Sequence, residues 1–437
     1  MISHHKHFNK GIVYDIIKLA QGGSQMEKQI IAALEIADRE VRLLVGQFYN
    51  GRLNILKVER VSHLGVVGYT IMSESIIVDA IKKAVENASR NLGVVIESVI
   101  LMVPGIHMKR LNKQLHVPIA GRVSELDIRR AYRELLNSQA PESYILTNVL
   151  FSKYFVNGSS TRKMPLNERC ESIAIEADCY YGKQSIIFPY VGCVEASGLR
   201  IIDIVLDDLA FAKESSLFEA SIDKPIIALT FAEKITKFSL YHQGSLLSND
   251  YVDKGFDVFM RKLENTLKIP QDVVHGLIYY NLDLLNTAPL DDPIFIWSTK
   301  STSHTLSQKD LSDILGEDIK AFIEDIADRI SPIFNLGDPK IVITGEASEV
   351  SGLEELIESN TNAETTAYRS TTFGVKDRGL SSLVGAFYYY KDLAIYRTDS
   401  LSSISETEFK RVVLQSDGET DEEDSLTKKL KHMFFDR

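Results

Sequence analysis

The chain has 437 residues, 44% of them hydrophobic, enough to bury a large core divided over two or more subdomains. Its formal net charge of -11 argues against a general nucleic-acid binder, which needs a concentrated basic surface. Cys170, Cys179 and Cys193 show neither CxxC pairing nor finger-like histidine spacing, so no metal site and no disulfide framework is read. No apolar run reaches the roughly 20 residues of a membrane-spanning helix.

Residues 1–26 lack the apolar core of a signal peptide, and Met26 stands directly before the first clear strand. The expectation is a disordered lead or a start set too early, at Met1 instead of Met26, with His4, His5 and His7 inert. A strand pattern over 30–37, a second over 41–49, an Asn50-Gly51 turn and a third strand over 53–61 follow. Ile77, Ile81, Val85, Ala88 and Leu92 then fall at helical spacing, closed by Gly93, before a buried strand over 98–105.

Between 106 and 200 the alternation predicts an α+β insertion. Ser124 and Asp127 open a helix as a capping box, a strand pair lies around 144–157 and a strand spans 171–181. A helix near 183–197 and a strand over 199–206 complete it. The first pattern then returns: strands over 225–231, 235–242 and 245–252, and a helix introduced by Gly255 with Phe256, Phe259, Met260 and Leu263 on one face. Glu35 and Thr230 occupy matching places 195 positions apart, too far for a solenoid and suited to two equivalent domains around a cleft.

Residues 253–335 read as helical, ending in a core-facing stripe of Leu311, Ile314, Leu315, Ile319, Phe322, Ile323 and Ile326. A buried strand, a glycine turn and a helix occupy 340–359. Beyond 399 the composition turns acidic, a solvated linker to residue 424.

The strand pattern ALEIADREVRLLVG, the strand ending Met-Val-Pro-Gly, the placement of the insertion, KIVITGEASEVSGL and RGLSSLVGAFYYYK together resemble the FtsA family over about residues 28–395, plus the tail. That resemblance implies an α/β fold of duplicated actin-like, ribonuclease H-like domains around a cleft. The parts would be a first domain over 27–105, an FtsA-type inserted subdomain over 106–200 and a second domain over 201–398. The helical 253–335 stretch belongs to the second domain, and the linker over 399–424 leads to a terminal helix over 425–437. It further implies ATP with Mg²⁺ as cofactor, self-association into filaments, the FtsZ C-terminal peptide as partner and a place on the cytoplasmic face of the membrane at the division site.

The nucleotide loops depart from that pattern. Glu35 is followed by Ile36, Ala37, Asp38 and Arg39, where the family has glycine and small hydroxyl residues. Thr230, Phe231, Ala232, Glu233, Lys234 and Ile235 replace an Asp-Ile-Gly-Gly-Gly-Thr run. Backbone amides must approach phosphates closely, and side chains there stand in the way; the missing Asp also removes a Mg²⁺ ligand. At the adenosine loop Gly345 remains, and Glu346 stands where a second glycine is usual. Two readings follow for the site formed by Glu35, Ala37, Asp38, Arg39, Thr230, Lys234, Gly345 and Glu346. Either Lys234 or Arg39 compensates and ATP binds weakly, or the cleft is a relic held closed by its own side chains, the reading these substitutions favour. No catalytic residue is assigned.

On a helix, Leu426, Leu430, Met433 and Phe434 share one face, flanked by Lys428, Lys429, Lys431 and His432, the composition of an interfacial anchor for an anionic membrane surface. Half-burying four such side chains is worth about 3–6 kcal/mol, so one copy binds weakly and stable tethering needs many copies in a filament. Two other readings share the fold. A sugar- or acetate-type kinase needs the glycine-rich loops that are absent. A non-polymerising pilus adaptor of the PilM type has no need of the basic tail.

Overall fold

The structure is a computed structural model and describes residues 29–49, 51–285, 291–299, 302–397 and 402–404. The lead over 1–26, Asn50 of the turn, most of the acidic linker and the tail at 425–437, with Leu426, Lys428, Lys429, Leu430, Lys431, Met433 and Phe434, lie outside the described residues.

The chain opens with an antiparallel meander, β1 (Ile30–Ile36), β2 (Glu40–Tyr49) and β3 (Arg52–Ser62). Helix α1 (Glu74–Leu92) follows, burying Ile77, Ala80, Ile81, Ala84 and Ala88; Gly93 ends it in the left-handed region, φ 69°, its N–H donating to Ser89 O. Strand β4 (Ser98–Val103) is buried at every position because it lies parallel to β1 inside the sheet.

The insertion then forms its own antiparallel sheet from β5 (Lys109–Arg122), β6 (Tyr144–Val156), β7 (Ser159–Thr161) and β8 (Arg169–Lys183), in the order β5-β8-β6-β7. Its one helix, here α2 (Glu125–Leu136), carries the expected Ser124–Asp127 capping box. The strand pair expected around 144–157 extends to Thr161, with the 13-residue β6 paired antiparallel to its short partner β7.

The next elements cross a boundary drawn from sequence. Helix α3 (Gln184–Ala196) and strand β9 (Arg200–Leu206), expected in the insertion, belong to the first half: α3 packs into its core, and β9 pairs in parallel with β4 and closes the first sheet, ordered β3-β2-β1-β4-β9. Helix α4 (Asp207–Glu214) also belongs to this half.

The second half repeats the plan with β10 (Ile226–Phe231), β11 (Thr236–His242) and β12 (Ser245–Val252). Helices α5 (Asp257–Leu267) and α6 (Gln271–Asn281) follow. The 253–335 region is not wholly helical, because the β-branched and aromatic run at 293–299 forms a hairpin of β13 (Pro293–Thr299) and β14 (Thr302–Ser307). Trp297 stacks on Phe295 and, across the hairpin, on His304. Helix α7 (Gln308–Ile330) buries the expected stripe, with Ile314 half-buried. Strand β15 (Lys340–Thr344), helix α8 (Leu353–Thr361) and β16 (Thr365–Ala367) complete a sheet ordered β12-β11-β10-β15-β16, the same order as the first.

Helix α9 (Ser381–Asp392), expected in the second domain, returns to the first half and packs on α4 and β1. Gly385 allows this contact, since a Cβ there would overlap the Ala210 carbonyl. Residues 402–404 then lie against the start of the first sheet. Ser403 N–H donates to Ile30 O (3.0 Å), Glu97 N–H donates to Ser403 O (2.8 Å), and Ala32 N–H donates to Ser403 Oγ (2.7 Å).

Candidate functional site

The two sheets face each other across a cleft that contains a cavity of about 510 Å³. Both meanders send the turn after their first strand to its mouth, and both turns close identically: Ala37 N–H donates to Glu40 O (2.9 Å) and Ala232 N–H to Ile235 O (3.1 Å). Strand register places Arg42 opposite Glu35 on β2 and Lys237 opposite Thr230 on β11. The 195-position offset thus relates Asp38 to Glu233, Arg39 to Lys234 and Arg42 to Lys237.

Of the residues read from sequence, Glu35, Ala37, Asp38, Arg39, Thr230, Gly345 and Glu346 line the cavity. Lys234 does not. Its ammonium turns to the outer side of the turn and pairs with buried Asp257 (2.7 Å), which also takes Arg261 (3.0 Å). A carboxylate at the start of α5 with so little solvent needs a cation, and Lys234 supplies it. Arg39 is likewise engaged, its Nε 2.5 Å from Glu233. Neither side chain is free to meet a phosphate.

The sequence reading missed the two cations at the centre. Arg42 extends its fork to Glu40 (2.6 Å), to Glu35 (3.4 Å) and, across the cleft, to Glu346 (2.5 Å), while its Nη1 donates to Gly379 O (3.0 Å). Arg60 joins Glu346 (2.7 Å) to Glu40 (2.5 Å) and to Asp377. On the other side Lys237 crosses to Asp207 (2.6 Å) and Asp208 (2.7 Å) of α4. Asp208 also accepts from Ser239 (2.6 Å) and Asn249 (2.7 Å), and Asp207 accepts from Gly105 N–H (2.8 Å). Each half thus reaches into the other from the same strand position. A basic residue inside an apolar strand, recurring at the same offset as Glu35 and Thr230, was the available signal.

Burial sets the electrostatics. It raises Glu35, pushes Asp38 up to about 6 and pushes Glu233 up to about 7, in spite of the cations beside them. At Glu346 burial also pulls upward, but the contact with His275 and the charges of Arg42 and Arg60 outweigh it and hold the carboxyl at about 2. Asp38 Oδ1 is buried and accepts no hydrogen bond among the described residues.

These groups do not fit a Mg²⁺-nucleotide. Seven carboxylates, Glu35, Asp38, Glu40, Asp207, Glu233, Asp272 and Glu346, line the cavity, and its cations are paired. At an effective dielectric of about 20, like unit charges about 4 Å apart repel by about 4 kcal/mol, so each phosphate charge beside Asp38 would meet a penalty of that order. The Lys234 amide, which would face a phosphate, instead donates to Asp38 Oδ2 (3.1 Å). Gly345 keeps a φ of 90° and passes under the Phe231 carbonyl without a Cβ, but Glu346 follows it and is clamped by two arginines.

No family model matches the chain. It is similar to the cell division protein FtsA of Staphylococcus epidermidis (strain ATCC 35984), 22% identical over 431 residues, covering 94% of this chain and 89% of that one. The FtsA proteins of Neisseria meningitidis serogroup B (22%, 76% and 82% covered) and Bacillus subtilis 168 (20%, 83% of each) are similar as well. Among solved structures, the PilM–PilN type IV pilus biogenesis complex matches with a TM-score of 0.52 at 10% identity, covering 82% of this chain and 97% of that one. MreB 5 of Spiroplasma citri bound to AMPPNP matches with 0.50 at 9% identity, covering 84% and 97%. Both likenesses establish the actin-like fold.

Proposed function

We propose, from the premise that this chain belongs to the FtsA family, that it is a cell-division scaffold tethering FtsZ filaments to the cytoplasmic face of the membrane without ATP turnover. The carrying observation is a likeness to FtsA that runs along 94% of the chain. In this reading the inserted subdomain mediates self-association into filaments, and the 253–335 region receives the FtsZ C-terminal peptide. That region exposes Tyr280 and Ile296. The tail at 425–437 holds anionic lipid through Leu426, Leu430, Met433 and Phe434 with the neighbouring lysines. No described helix is long and apolar enough to cross a membrane, which suits a peripheral attachment. The absence of glycine-rich phosphate loops supports a role without catalysis.

Co-pelleting of the full chain with anionic liposomes, with and without FtsZ, tests this. FtsZ should sediment only when the chain is present, and Leu430→Glu or Phe434→Glu should abolish recruitment while the far-ultraviolet dichroism stays unchanged. Recruitment untouched by either substitution would remove the tail from the mechanism. Absence of FtsZ recruitment altogether would move the reading to a PilM-type adaptor.

A further inference from the structure

We infer that in this chain the two turns that could embrace a polyphosphate clamp each other instead, with Asp38 and Glu233 as built-in stand-ins for phosphate. The sequences of the turns, Ala37-Asp38-Arg39 and Ala232-Glu233-Lys234, are the same pattern of small, acidic and basic residues at the 195-position offset. The contacts are reciprocal. Glu233 of the second turn takes the Arg39 guanidinium of the first at 2.5 Å, and Asp38 of the first takes the Lys234 amide of the second at 3.1 Å. Each turn therefore offers one anion to the other and one donor in return.

Such a pair need not add net stability to act as a specifying device. Two charges withdrawn from water roughly break even when paired, but removal of one strands the other. Glu233 is the more enclosed partner, its side chain 14% exposed against 32% for Arg39, so misplacing the turns leaves a poorly hydrated carboxylate. The second turn is also fixed from behind. Asp257 N–H donates to Glu233 O (2.9 Å), and a Cβ at Gly255 would overlap the same carbonyl, so Glu233 cannot retreat without moving α5. The closed cleft is thus defined by the chain alone, where a ligand between the turns would otherwise define it. The inference rests on the cleft and is independent of the tether, so FtsZ recruitment can fail while this stands.

Hydrogen–deuterium exchange on the full chain tests it, read at residues 36–42 and 231–237 in the wild type, Arg39→Glu, Glu233→Arg and the double exchange. Each single variant should raise exchange in both segments together by about tenfold, and the double variant should restore protection. ATP–Mg²⁺ should change neither segment in the wild type. A rise confined to the altered turn, no rescue in the double variant, or protection of the wild type by ATP–Mg²⁺ would each overturn the clamp. Should a charge reversal prevent folding, Asp38→Leu, close in size and without an acceptor for the Lys234 N–H, provides the same reading: exchange raised in both segments supports the clamp, and exchange unchanged at 231–237 refutes it.

Discussion

The two cross-cleft cations solve one problem in different surroundings. Lys237 is nearly sealed, its side chain 5% exposed, and faces two aspartates of one short helix, of which Asp208 is 2% exposed. Arg42 is 11% exposed and spreads its fork over glutamates from both halves, with Arg60 and His275 sharing the load on Glu346. A compact ammonium suits a closed pocket with two converging carboxylates; a planar fork suits a wider surface where several acceptors must be held in register. The contrast separates a rigid seam between the halves from a redundant, wetter one.

Removing each cation is the sharpest way to break that contrast. Lys237→Met leaves buried Asp208 and half-buried Asp207 without a cation and should cost about 3–5 kcal/mol, read from urea unfolding of the full chain. Arg42→Met should cost less, about 2 kcal/mol, because Arg60 still holds Glu346 and water reaches Glu40. Equal losses would erase the distinction drawn between the seams.

The pH profile sharpens it further, with a smaller effect. Glu346 is held at about 2, below its ordinary 4.5, so its stabilisation is present above pH 4.5 and lost as pH falls towards 2. Glu233 is pushed up to about 7, so its contribution is full below pH 4.5 and lost as pH rises through 7. Urea midpoints against pH should therefore show a weaker acid limb in Glu346→Gln and a smaller slope between 4.5 and 7 in Glu233→Gln, with Asp38 supplying the slope that remains below about 6. The opposite assignment of the two limbs would contradict the burial described for the cleft.

Much of this was legible in the sequence, for local reasons. The repeated meander, the Ser124–Asp127 capping box, the Gly93 stop and the apolar stripe of α7 all follow from short-range periodicity and turn chemistry. What escaped depends on distance along the chain. β9 reads like any strand after the insertion, and its parallel pairing with β4 appears only once the chain has crossed back. The return of α9 to the first half hangs on one glycine's contact with Ala210. In the site, Glu35, Asp38 and Thr230 were found because they sit beside the altered loops. Arg42 and Lys237 were missed because a single basic residue in a strand looks like a solvent-facing position, and only the opposing half turns it inward.

The seam at Ser402–Ile404 gives the molecule a load path. A pull arriving along the chain from beyond residue 404 enters at the beginnings of β1 and β4, two of the three interior strands of the first sheet, through the bonds that Ser403 makes to Ile30, Ala32 and Glu97. Whatever grips the second half feels that pull through the crossings of the chain and through Arg39–Glu233, Arg42–Glu346 and Lys237 with its two aspartates. The cleft is in this sense a joint between the Ser402–Ile404 seam and the second half, crossed by those same charge pairs.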